Sequence, residues 1–416
     1  MERYDLIVVG GGLTGVAAAV SAAREGLKVL LAERNGSCGG ALANNLVFPF
    51  MEWWTPLKAE NPKELSAGIF AEMRERVNGY HTPDKKHHFS SEYFKIVLDE
   101  MLEEAGVTVL FHAALCQVRT EGDGVKSLVF SVKNGLLELE ADFYVDASGD
   151  GDLMAFAGCD FCVGRSEDGY CQPMTTCFRL GNIDIKRFRE ELPEIQKKYK
   201  EEQAKGNLIN PRENLLVFFG TGTGVVHFNT TRVVKHDPTD PFAVSRAEIL
   251  ARKQIRELVA LLKDFESCKN AEILSIAAEI GVRESRKLRG VHVLTQEELK
   301  DCTRFEDSIA LGNYDIDIHS PTGSGTSHYY FPDGTYYTIP YRSLVPKEYG
   351  NLLVAGRCLS ATHEAQASVR IMPICATLGQ AAGTAVAVMK NKGQDNKTVD
   401  VKEVQRILEE NGAAIR

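Results

Sequence analysis

Three glycines, Gly10, Gly12 and Gly15, stand between the apolar run Leu6–Val9 and an alanine-rich stretch that ends at Gly26; Glu33 closes the next apolar run. Strand, glycine turn, helix and strand in that order make one βαβ unit of the dinucleotide-binding kind. Gly10 permits the tight turn, Gly12 lets backbone approach a pyrophosphate, and Gly15 lets helix and strand pack closely. The phosphates then meet free amides and the positive end of the helix dipole. Glu33 can accept hydrogen bonds from a ribose diol, and its charge would repel a 2′-phosphate. The site is therefore expected to take FAD or NAD rather than NADP.

At 416 residues the chain exceeds one ordinary core, so two closely packed domains are expected. No run approaches the roughly 18 apolar residues needed to span a bilayer, and no membrane role is expected. The opening MERYDLIVV lacks the basic start and long apolar stretch of a secretory signal, which predicts a cytoplasmic protein. A net charge of -9 makes nucleic acid a poor partner. Ten cysteines without a signal segment read as reduced thiols. The pair Cys159 and Cys162 has no second pair at metal spacing, so no metal is expected.

Along the chain, apolar Phe94, Val97, Leu98, Met101, Leu102 and Ala105 recur at helical spacing after Ser90. Alternation from Leu115 to Glu140 predicts a small antiparallel meander, followed by a separate buried strand and glycine turn in FYVDASGD. The charged stretch 186–206 reads as a solvated helix, and the glycines of GTGTGVV as a hairpin. A helix is predicted to open at Ser245, with Glu248 completing a capping box. NLLVAGR returns to strand-then-glycine texture, a proline-led helix runs from Pro373 to Gly393, and a short amphipathic helix follows Asp400. The expected architecture is α/β: a Rossmann-like three-layer FAD/NAD(P)-binding fold over 1–161 and 343–416, with a mostly β substrate domain, 162–342, inserted.

The runs ERNGSCGG, YVDASGDGDLMAFAG and NLLVAGRCLSATHEAQASVRIMPICATLGQAAGTAVAV resemble the cofactor motifs of glutathione-reductase-type flavoproteins. Together with QPMTTCFRLGNID, GTGTGVVHFNTTRV and GVRESRKLRG, the chain is similar to the bacterial FAD-dependent oxidoreductase family, itself distantly similar to fumarate-reductase flavoproteins. The resemblance implies FAD. It places the adenosine ribose on Glu33 and Arg34, and the pyrophosphate on Gly11, Gly12, Gly39 and Gly40. Thr14 and Ala41 belong to the same turns. It places adenine on the backbone of Leu115, and it lines the cofactor with Ser148, Gly149 and Asp150. Gly356 and Arg357 would hold its central part, and the helix near Gly379 would approach the flavin.

Arg283 and Arg286, Asn229 and Arg232, and His363 and Arg370 are the polar groups of the remaining motifs. Arg283 and Arg370 could clamp a carboxylate, and His363 could move a proton while hydride passes between substrate and flavin. Cys38 has no second cysteine in its loop, which argues against a dithiol reductase. No second glycine fingerprint precedes a helix, so a small-molecule substrate or an external electron carrier is expected to exchange the electrons. A dehydrogenase or reductase is favoured over an oxidase. A non-catalytic flavin-binding protein and an NAD-dependent dehydrogenase stay open as alternatives.

Overall fold

A computed structural model of the chain describes residues 3–55, 62–80 and 87–416. Strand β1 (Arg3–Val9), helix α1 (Leu13–Arg24) and β2 (Val29–Ala32) form the predicted βαβ unit. Helices α2 (Ile69–Tyr80) and α3 (Ser91–Glu104) then lead to β3 (Thr108–Leu110). The Ser90 side chain caps α3 by accepting from the Tyr93 amide, and Phe94, Val97, Leu98, Met101 and Leu102 form its buried stripe.

Strands β4 (Ala114–Glu121), β5 (Gly124–Val132) and β6 (Gly135–Asp146) make the antiparallel meander, and α4 (Asp152–Ala157) follows. The sequence reading divides β6 in two, whereas it is one strand of 12 residues. Its first half pairs antiparallel with β5, Ser127 facing Glu140, while β1 runs parallel to it from Arg3 opposite Glu140 to Val9 opposite Asp146. One strand therefore serves both patterns, and its alternation changes midway because its buried surroundings change.

The inserted segment carries β7 (Phe161–Val163), β8 (Phe178–Gly181), α5 (Ile185–Ala204), β9 (Val217–Phe218), β10 (Val226–Phe228), α6 (Pro241–Leu262) and β11 (Glu272–Ile276). Four of these strands form a sheet in the order β11-β8-β10-β9, and β9 with β10 is the predicted hairpin. The expectation of a mostly β segment needs correction, because helices of 20 and 22 residues cover this sheet. Phe188, Ile195 and Tyr199 of α5 and Ile255, Leu258 and Leu262 of α6 share one core with Phe178 and Phe228. Helix α6 opens at Pro241, not Ser245: Asp240 accepts from the Phe242 amide, and Ser245 bonds back to the Pro241 carbonyl inside the helix. The capping box forms instead at Thr295 and Glu298.

Next come β12 (Arg286–Leu288), α7 (Gln296–Lys300), β13 (Ser308–Gly312), β14 (Ile316–His319), β15 (Thr326–Tyr329) and β16 (Tyr337–Pro340). The chain then returns to the first sheet. Strand β17 (Leu352–Val354) pairs parallel with the carboxyl-terminal half of β6, Leu352 opposite Tyr144 and Val354 opposite Asp146. Helices α8 (His363–Val369), α9 (Met372–Lys392) and α10 (Val401–Glu410) complete it.

By length and composition α9 could cross a membrane, but Pro373 to Met389 are all buried inside the protein. It packs on α1 through glycine: a Cβ at Gly379 would stand 2.0 Å from the Thr14 carbonyl oxygen, and one at Gly383 2.1 Å from that of Ala18. The parallel order β3-β2-β1-β6, with β17 beyond, puts a change of connection direction between β1 and β6. Ligands of such sheets bind outside the strand carboxyl ends at that point.

Candidate functional site

A cavity of about 540 Å³ lies there. From the first glycine turn and the loop after β2 it is lined by Gly10, Gly12, Thr14, Glu33, Arg34, Gly39, Gly40 and Ala41. Ser148, Gly149 and Asp150 line it from the end of β6, and Arg357 from the end of β17. The inserted segment adds Asn229 and Arg283, and Arg370 enters from the end of α8.

The floor suits an elongated diphosphate. Helix α1 starts at Gly12 with no side chain capping it, so its first amides are free to donate. A Cβ at Gly12 would meet nothing nearer than Gly40 Cα at 4.0 Å, which leaves the backbone open to a close-lying ligand. Gly10, at φ +104, adopts the turn that excludes side chains; a Cβ there would lie 2.5 Å from the Ala147 carbonyl oxygen. Arg357 Nη2 donates to Asp150 Oδ1 at 2.8 Å, while its Nη1 is buried without a partner. Burial alone would raise the Asp150 carboxyl, but Arg357 and the Ser285 hydroxyl hold it below the usual carboxylate range. Glycine backbone, helix amides and an arginine match the donor set that a dinucleotide diphosphate needs.

Several residues named from the sequence do not line the cavity. The Gly11 amide donates to Glu33 Oε2 at 2.6 Å, so it serves the turn and not a phosphate. Gly15 packs on the Gly10 carbonyl, Gly356 on the Thr14 side chain, and Gly379 on the Thr14 carbonyl. Close packing, not ligand contact, is their reason to be glycine. Helix α9 reaches the cavity one turn earlier, through Met372 and Cys375. Leu115 sits in β4 against the second core, away from the lining.

His363 is corrected as well. It is buried, and its Nδ1 lies 2.8 Å from Glu284 Oε2, in a cluster where Lys287 Nζ meets the same carboxylate at 2.5 Å. None of the three residues lines the cavity. Arg286 is likewise occupied, donating to Asp152 Oδ1 at 2.8 Å. Arg232 is fully buried and donates to the Gly325 carbonyl at 3.0 Å, which ties down the loop before β15.

The wall opposite the glycine turns carries residues that the sequence reading passes over: Arg212, Tyr314, Asp317 and His319. Asp317 and His319 lie two apart on β14, so period two sets both on one face of an otherwise apolar strand. That alternation was the available signal. Arg212 lies outside helix and strand, where no periodicity marks it.

Arg232 Nη2 donates to His319 Nδ1 at 3.1 Å, so the ring proton sits on Nε2, 3.2 Å from Asp317 Oδ2. Burial, with Arg283 nearby, pushes His319 down to about 3, and it is neutral at physiological pH. The Tyr314 hydroxyl donates to Asp317 Oδ2 at 3.0 Å, and burial raises Tyr314 well above the usual phenol range. Burial opposes ionisation of Asp317, but His319, Arg370 and Tyr314 together keep it an anion. Burial, with Arg370, Arg212 and Arg232 close by, pushes the Arg283 guanidinium down to about 9.

The family model described as FAD dependent oxidoreductase matches residues 5–408. No curated protein matches the chain. Among solved structures, p-nitrophenol 4-monooxygenase PnpA from Pseudomonas putida DLL-E4 is similar at 11% identity and TM-score 0.49, over 97% of this chain and 84% of that one. OxyS anhydrotetracycline hydroxylase from Streptomyces rimosus is similar at 14% identity and TM-score 0.49, over 99% of this chain and 66% of that one.

Proposed function

The chain belongs to the FAD dependent oxidoreductase family, and from that premise we propose that it is a dehydrogenase or reductase acting on a small molecule where the inserted segment faces the bound cofactor. FAD is the cofactor of the family. The observation that carries the reading is the continuity of one cavity, from Gly12 and Glu33 to Arg283, Asp317 and His319. Residues 1–161 and 343–416 would then hold the cofactor, and 162–342 would present the substrate.

Gly12, Gly40 and the α1 amides would hold the diphosphate, Glu33 and Arg34 the adenosine ribose, and the amino end of α9 the isoalloxazine edge. Bound FAD supplies an acceptor or donor of two electrons. Reduction of a substrate there would need one proton besides those two electrons. Tyr314 Oη, held by Asp317 and kept protonated by burial, would hold the proton to be donated in the reductive direction. An external electron carrier completes the cycle.

The test is reconstitution of purified protein with FAD, followed by rapid mixing of the reduced form with oxygen. One flavin per chain and slow reoxidation by oxygen are expected. Absence of flavin uptake overturns the cofactor site, and reoxidation at the rate of turnover makes the enzyme an oxidase.

A further inference from the structure

Arg212, Arg283 and Arg370 line the substrate wall, and the buried Arg232 lies near them. Arg283 lies within the electrostatic reach of Arg370, Arg212 and Arg232. Two carboxylates answer them: Arg232 Nη1 lies 3.1 Å from Glu213 Oε2, and Arg370 Nη2 3.5 Å from Asp317 Oδ2. Four guanidiniums less two carboxylates leave two positive charges in excess. The neighbouring Asp315 contacts His328 Nδ1 at 2.5 Å and makes no ion pair with any of these arginines. His319 is neutral.

The excess sits on Arg212 and Arg283, neither of which has a carboxylate at ion-pair distance among the described residues. Arg283 Nη1 donates to the Pro173 carbonyl at 2.8 Å and to Thr175 Oγ1 at 2.6 Å, while Nη2 reaches only Asn229 Oδ1 at 3.5 Å. Arg212 is 4% exposed; its Nε reaches Asn214 Oδ1 at 3.3 Å, and its Nη1 is buried without a partner. Both guanidiniums line the cavity. Neutral acceptors thus fix their direction without cancelling their charge. Removing an arginine from water with no counter-ion is costly, and a ligand that supplies the counter-ion recovers that cost.

The cofactor diphosphate is not that counter-ion, because its seat is on the α1 amides, whereas Arg212 and Arg283 come from the inserted segment. We propose that the substrate is a small carboxylic acid, bound as its anion by Arg212 and Arg283. This rests on the FAD reading above. The planar fork of a guanidinium matches a carboxylate in two parallel hydrogen bonds, and Arg370, oriented by Asp317, closes the third side.

The experiment measures the melting midpoint of FAD-free and FAD-loaded protein, and the flavin spectrum of the loaded form. The probes are acetate, succinate and benzoate, each against its neutral amide, and inorganic phosphate. At least one acid is expected to raise the midpoint and shift the flavin spectrum saturably, with its amide inert at tenfold higher concentration. Arg283→Gln and Arg212→Gln should each weaken that acid tenfold or more at unchanged flavin content. Equal response to acids and amides, phosphate binding as tightly as the best acid, or variants that bind like the parent would overturn the proposal.

If one variant fails to fold, the other and the acid–amide comparison on the parent still decide. Flavin content is read in the same samples. Protein that takes up no FAD yet discriminates acids from amides sinks the cofactor reading alone. Protein that takes up FAD and ignores the acids sinks this one alone.

Discussion

The Gly11 amide donates to Glu33 Oε2 at 2.6 Å, and Glu33 Oε1 accepts from the Asn35 amide at 2.8 Å. The carboxylate at the end of β2 is thereby the clamp that shapes the turn after β1. Glutamine offers one acceptor oxygen in place of two, so Glu33→Gln leaves a buried amide unpaired, at a cost of about 1–3 kcal/mol. FAD retained after gel filtration and the urea midpoint should both fall; an unchanged urea midpoint would show that the clamp is dispensable.

A Cβ on Gly383 would stand 2.1 Å from the Ala18 carbonyl oxygen, an atom of the α1 backbone that cannot turn away. Gly383→Ala should cost about 1–3 kcal/mol by overpacking. Gly79 in α2 has none of the described residues within 4 Å of such a Cβ, and Gly79→Ala should stabilise by about 0.5–1 kcal/mol through helix propensity. Denaturant unfolding of both variants checks the opposite signs.

His227 is fully buried between Phe48 and Phe218, with both ring nitrogens unpartnered, and burial pushes it down to about 3. Its folded value lies below its unfolded one, so the proton prefers the unfolded chain. The stability it allows is whole above about pH 6.5 and is lost as pH falls from there towards 3. Between pH 7.5 and pH 5 this group should remove about 2 kcal/mol. His227→Leu should lose that much less over the same interval, and an identical pH dependence in urea unfolding would refute the assignment.

His363 and Lys287 share the fully buried Glu284 carboxylate, which they hold below the usual range against burial. His363→Gln removes the imidazole hydrogen bond to Glu284 and should lower stability by about 1–3 kcal/mol. Its FAD content should equal that of the parent, since His363 does not line the cavity. Loss of flavin from well-folded protein would return His363 to the site.

What the sequence determined by itself is local. Gly10 and Gly12 between an apolar strand and a small-residue helix admit few conformations, and a backbone free of side chains at a helix start is a phosphate seat wherever it occurs. The first βαβ unit, the hairpin at Gly220–Gly224 and the helices that follow Ser90 and Asp400 come from neighbours a few residues apart. Only the tertiary structure decided which glycines face a ligand and which face another helix, because Gly379 and Gly12 look alike until α1 and α9 pack. It likewise left His363 out of the cavity lining and brought Arg212, Arg283 and the β14 pair Asp317 and His319 together from three separate segments. Charges that far apart in the chain acquire a chemical meaning only through the distances between them after folding, and no periodicity encodes those distances.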